Sequence, residues 1–95
     1  MAINDLKAGV VGVGFIGVAH VEALRRIGVE VVGVVGSSPE RAGERAEQAG
    51  LPQVYDSVKA LAADSSVDVI HIASPNHVHA EQARIVLDAG KHVVC

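Results

Sequence analysis

Ala8-Gly9-Val10-Val11-Gly12-Val13-Gly14-Phe15-Ile16-Gly17-Val18-Ala19-His20 is the stretch on which the fold turns. Its opening, Ala8 to Val13, is a short Val- and Gly-built run suited to a buried strand, and the residues beyond Gly17 are rich in Ala, Val, Leu and Ile in the manner of a helix. Between the two lies Gly12-Val13-Gly14-Phe15-Ile16-Gly17, a GxGxxG pattern. Gly12 permits the tight turn, Gly14 lets backbone approach a pyrophosphate with no Cβ in the way, and Gly17 lets helix and strand pack closely. The pyrophosphate then rests on free N–H groups at the helix N-terminus, where the macrodipole favours an anion. The string alone also fits a structural glycine turn. A strand before it, a helix after it and a second strand-helix unit at the right distance select the nucleotide reading, with Gly12, Val13, Gly14, Phe15, Ile16 and Gly17 as candidate contacts.

Working outward, Glu30 to Val35 is the second strand, and the pattern expects an acidic residue at its end to bind the adenosine ribose. Gly36-Ser37-Ser38 stands there instead, with no carboxylate to repel a 2′-phosphate and with two hydroxyls and Arg41 able to bind one. NADP is therefore favoured over NAD. The plainer reading makes Ser38 a helix cap, Ser37 a turn residue and Arg41 a solvated charge. Ser38 before Pro39 is an N-cap followed by a ring suited to the first helical position, and Gly50 supplies the left-handed end, which predicts a helix over Pro39 to Ala49.

The remainder repeats the alternation. A short strand is expected near Gln53 to Tyr55, a helix opened by Ser57 and running to Ala63, a strand over Val67 to Ala73, a helix from about His77 to Ala89 capped by Asn76 and closed by Gly90, and a last strand from His92 to Cys95. Ala83, Val86 and Leu87 recur on that last helix at the spacing of a buried face. The sum is an α/β fold of the Rossmann type, a doubly wound parallel sheet of about five strands in the order 3-2-1-4-5. Ligands bind such sheets where the order reverses, between the loops that follow Val13 and Ala73. Residues 1–95 form one domain, and a chain of this size buries roughly 65% of its unfolded surface. With 49% apolar residues but 2% aromatic, the core must be Val, Ile, Leu and Ala.

The net charge of −3 carries no clustered Lys/Arg stripe, so nucleic acid is not an expected partner. No apolar run approaches the ~20 residues of a membrane span and the first residues lack a signal-peptide stretch, so a cytoplasmic location is expected. Cys95 has no cysteine partner. A metal is not expected either: His77 and His79 are two apart, which on a helix does not give a shared face, and no ligand cluster joins them. His71 reads as a satisfied core histidine, and His20 as packed or exposed.

Ala73-Ser74-Pro75-Asn76-His77-Val78-His79, continuing through Ala89-Gly90-Lys91-His92-Val93-Val94-Cys95, together with the glycine loop and Ser38-Pro39-Glu40-Arg41-Ala42, resembles the glucose-fructose oxidoreductase / inositol dehydrogenase family, Gfo/Idh/MocA. The resemblance covers essentially the whole chain. It implies an NAD(P)-dependent oxidoreductase that transfers hydride to or from a sugar, inositol or similar polyol. It also implies that Ser74, Pro75 and Asn76, after Ala73, lie along the nicotinamide ribose, with His79 beside that loop as its support. Pro75 stiffens the turn, and Asn76 can cap the helix or offer its amide to the ribose. Family members continue from the last strand into a Glu-Lys-Pro tripeptide with a catalytic lysine and then into a substrate domain; this chain stops at Cys95, and Lys91 is at the wrong end of the sheet to substitute. The expectation is a cofactor domain without catalytic residues of its own, which self-associates through the uncovered last strand. The competing reading is a stand-alone dinucleotide-binding module without activity; a methyltransferase-like fold is a third, opposed by the Ser-Pro-Asn loop.

Overall fold

A computed structural model describes residues 6–12, 15–36, 38–51, 53–74 and 76–94. The elements are β1 (Lys7–Val11), α1 (Phe15–Arg26), β2 (Glu30–Val35), α2 (Pro39–Ala49), β3 (Gln53–Val54), α3 (Val58–Ala63), β4 (Val69–Ile72), α4 (Asn76–Asp88) and β5 (His92–Val94). All strand pairs are parallel and the sheet order is β3-β2-β1-β4-β5. This is the expected Rossmann-type order.

Two separate cores sandwich the sheet. On one face Val21 and Leu24 of α1 and Ala42 and Ala46 of α2 pack on Ala8, Val10, Val31 and Val34. On the other, Leu61 and Ala62 of α3 and Val86 of α4 pack on Val11, Val32, Val35, Ile70 and Ile72. Burying each of these valine, leucine and isoleucine side chains contributes about 1.5–3 kcal/mol against the entropy of ordering it, and each alanine less. An irregularity in β2 sorts the valines between the faces: Ala8 pairs with Val31 but Gly9 with Gly33, so Val32 is extra. Gly9 and Gly33 thereby become partners, and each is overlaid by a side chain that a Cβ would strike, Leu61 at 2.5 Å and the Tyr55 ring at 2.6 Å.

The helix ends follow their sequence signals. Ser38 and Ser57, both extended, cap α2 and α3 by accepting from the N–H of Arg41 and Ala60. Three helices close alike: Gly28, Gly50 and Gly90 donate to Arg25, Glu47 and Leu87, and the next residues, Val29, Leu51 and Lys91, donate to Leu24, Ala46 and Val86.

Some boundaries differ from expectation. β1 ends at Val11, because Gly12 already turns, and Val13 lies outside the described residues. β4 begins at Val69, not Val67; Asp68 before it accepts the Lys7 N–H on its carboxylate at 2.9 Å. The helix α4 takes in Asn76 as its first residue and stops at Asp88, so Asn76 does not stand before the helix. Leu87 is a correction: it is 58% exposed, and the inward stripe of α4 is Ala83, Ile85 and Val86. Leu87 lies about 100° further round than Val86, enough to carry it off the sheet. Cys95 lies outside the described residues.

Candidate dinucleotide-binding site

Adjacent strands β1 and β4 send their following helices to opposite faces, which leaves a crevice at their C-terminal ends. The backbone there is strapped on both sides: Gly12 N–H donates to the Val35 carbonyl at 2.7 Å and Ala73 N–H to the Val11 carbonyl at 2.8 Å. Gly12 adopts φ +100°, open to glycine but strained for any other residue. A Cβ on it would lie 2.9 Å from the carbonyl carbon and oxygen of Ala73 and 3.0 Å from the nitrogen of Ser74. The glycine turn and the second loop therefore meet backbone to backbone, as a site that admits a ligand's phosphates without intervening side chains requires.

Beside Gly12, α1 starts at Phe15, so the backbone of Phe15, Ile16 and Gly17 forms its first turn, whose N–H groups lack helical acceptors. Val13, Gly14, Ser37 and Pro75, and the side chains of Phe15, Ile16 and Asn76, lie outside the described residues. Across β2, Gly36 and Ser38 are partly buried and Arg41 is exposed. The Ser38 Oγ accepts from Arg41 N–H at 3.3 Å, which uses a lone pair and leaves its proton to donate.

The far wall is held from behind. His79 Nε2 meets the Ser74 carbonyl; a carbonyl only accepts, so this ring carries its proton on Nε2. The Ser74 hydroxyl donates to Gln82 Oε1. His79 and Gln82 are three apart on α4 and so share a face. Gln82 was not among the expected site residues, although that spacing was its available signal.

Beneath the crevice His20 of α1 meets His71 of β4, Nδ1 to Nδ1 at 3.0 Å, with the rings edge to face. A hydrogen bond between like atoms needs one ring protonated at Nδ1 and the other bare there. His71 is half-buried rather than a core residue, and its pKa is pulled down by burial and then by the neighbouring His20. No sequence spacing joins residues fifty-one apart. Among the described residues no group of three His, Cys, Asp or Glu converges as metal ligands, and no helix is long and apolar enough to cross a membrane.

A parallel sheet of this order, with a glycine turn against a second loop at the point of reversal, defines a dinucleotide-binding Rossmann domain. The profile of the oxidoreductase family with NAD-binding Rossmann fold, Gfo/Idh/MocA, matches residues 6–95, and the chain belongs to that family. D-xylose 1-dehydrogenase (NADP(+)) 2 of Haloferax volcanii is 36% identical over 88 residues, covering 92% of this chain and 27% of that protein. An NAD-binding protein from Listeria innocua superposes with a TM-score of 0.87 at 41% identity, over 96% of this chain and 27% of its own. Levoglucosan dehydrogenase, solved in complex with NADH, superposes with a TM-score of 0.87 at 32% identity, over 95% and 27%. This chain spans about a quarter of the length of these relatives.

Proposed function

We propose that this chain is the cofactor-binding domain of an NAD(P)-dependent dehydrogenase acting on a sugar, inositol or similar polyol, with the substrate pocket and proton-transfer groups supplied by polypeptide outside these 95 residues. The observation that carries the reading is the close approach of Gly12 to Ala73 and Ser74, which brings the two loops together backbone to backbone where the sheet order reverses. The cofactors in the names of the relatives, NADP for the xylose enzyme and NADH for the levoglucosan enzyme, support it. In this reading Gly12, Val13, Gly14 and the first turn of α1 from Phe15 to Gly17 would hold the pyrophosphate. Gly36 to Ser38 would hold the adenosine ribose, and Ala73, Ser74, Pro75 and Asn76 the nicotinamide ribose, with His79 as their support. A nicotinamide held there would supply hydride transfer to or from a carbinol carbon as alcohol and carbonyl interconvert. The chain's own residues bind and orient; positioning of this kind is a large part of what a protein adds to cofactor chemistry.

The finer reading is a preference for NADP, set by Ser37, Ser38 and Arg41 and by the lack of a carboxylate at Gly36. The free Ser38 proton and the exposed Arg41 guanidinium would bind a 2′-phosphate, and no carboxylate stands at Gly36 to repel it. Calorimetric titration of both cofactors is the test. Tighter NADP binding, reversed by Gly36→Asp, is the expected result; tighter NAD binding overturns the preference, and saturable binding of neither overturns the function. The purified chain is expected to oxidise no polyol on its own, and turnover by it would overturn the division of labour.

A further inference from the structure

We infer that Gln82 is a positioning residue of the cofactor crevice: it accepts the hydroxyl hydrogen bond of Ser74 and so presents Ser74 to the ligand as a hydrogen-bond acceptor. The inference rests on the dinucleotide reading of the crevice. Ser74 is held through its hydroxyl and its carbonyl, and its backbone packs against the glycine turn. Its amide nitrogen abuts Gly12, its carbonyl accepts from His79, the preceding Ala73 N–H is bound to Val11, and its hydroxyl donates to Gln82 Oε1. A serine hydroxyl has one proton and two acceptor sites. With the proton committed to α4, only lone pairs remain for anything that enters the crevice. Such an oxygen suits a ribose hydroxyl or a carboxamide N–H, both donors, and disfavours a phosphate oxygen, which only accepts. This wall of the crevice therefore selects the nicotinamide riboside end of the dinucleotide against its pyrophosphate, which the N–H groups heading α1 attract instead. Without Gln82 the hydroxyl is free to turn among its rotamers and to face a ligand as donor or acceptor.

A double-mutant cycle with NADH as the probe, read by fluorescence titration, tests this. Gln82→Met, similar in shape but without the acceptor, is expected to weaken NADH about 2- to 12-fold, the worth of one neutral hydrogen bond. In a Ser74→Ala background the same change is expected to have no further effect, because Gln82 acts only through that hydroxyl. An equal loss in both backgrounds, or none in either, overturns the proposal. The three-bond couplings that report the Ser74 χ1 angle supply a readout independent of binding. One rotamer in the unliganded protein, averaging on Gln82→Met, is the expected result, and averaging already in the unmodified protein overturns the positioning role. Failure of the unmodified chain to bind NADH, with Ser74 still held in one rotamer, would sink the dinucleotide reading and with it the role toward cofactor, while the Gln82 contact itself would stand.

Discussion

Replacing Gly12 by alanine is expected to damage both the fold and the crevice, by an amount that follows from two separate costs. The first is conformational: at φ +100° an L-residue is strained, by about 1–2 kcal/mol. The second is steric. The new methyl would lie 2.9 Å from the backbone carbon and oxygen of Ala73, about half an ångström inside ordinary contact, and backbone cannot swing aside as a side chain can. Overpacking of this kind adds about 1–3 kcal/mol, so the sum is about 2–5 kcal/mol. Gly28→Ala separates the two, because φ there is +88° and nothing lies within 4 Å of a Cβ, so it bears the conformational cost alone. Urea unfolding is the assay. With an m-value of about 1–1.5 kcal/mol/M, a loss of ~3 kcal/mol lowers the midpoint by about 2–3 M, and Gly28→Ala by about 1 M. Equal midpoint shifts for the two variants, or a Gly12→Ala midpoint within about 0.5 M of the unmodified protein, would refute the close approach of the two loops.

Other expectations concern pH and association. Hydrogen bonds from Tyr55 and Ser66 hold the Asp64 pKa down at about 2, so its contribution is complete above the unfolded value near 3.8 and is lost as pH falls toward 2. Burial, then the Asp64 contact, push Tyr55 up to about 12, so its contribution is lost as pH rises from about 10 through 12; Tyr55→Phe should flatten the stability profile at both ends in a denaturation series. His71, held below 6.5 by burial and by His20, disfavours the proton in the folded state, so stability falls as pH drops below 6.5. NMR titration should place its midpoint below that of an exposed histidine and move it up in His20→Ala; an unchanged midpoint would contradict the pairing. Val94, 42% exposed on the edge strand β5, should drive self-association, and a strict monomer by light scattering at high concentration would oppose that.

Much of this architecture was legible because its signals are local. Ser38-Pro39 and Gly50 bound α2 where capping chemistry places them, and Ser57 opens α3 one residue before Val58. The sheet order follows from alternating strands and helices. What escaped is relational. Val31 to Val35 read as one uniform apolar run, in which nothing marks Val32 as the extra residue. Leu87 fitted the apolar spacing set by Ala83 and Val86, yet Ile85 packs inward and Leu87 does not, since hydrophobicity alone does not fix the angular centre of a helix face. His20 and His71 lie on different elements, so their contact depends on how α1 crosses the sheet. At the site, the glycine turn announced itself through residue types that few other conformations need, whereas Gln82 is a common helix residue whose role exists only once Ser74 is beside it.

An amide-resolved NMR titration of the chain with NADH decides whether the two loops hold a dinucleotide. Saturable shifts are expected at Gly12, the head of α1, Ser38, Ala73 and Ser74, with Lys7, Asp64 and Lys91 at the opposite ends of the strands unmoved. Absence of saturable shifts, or shifts centred on Lys7, Asp64 and Lys91, would contradict a dinucleotide in the crevice between the two loops.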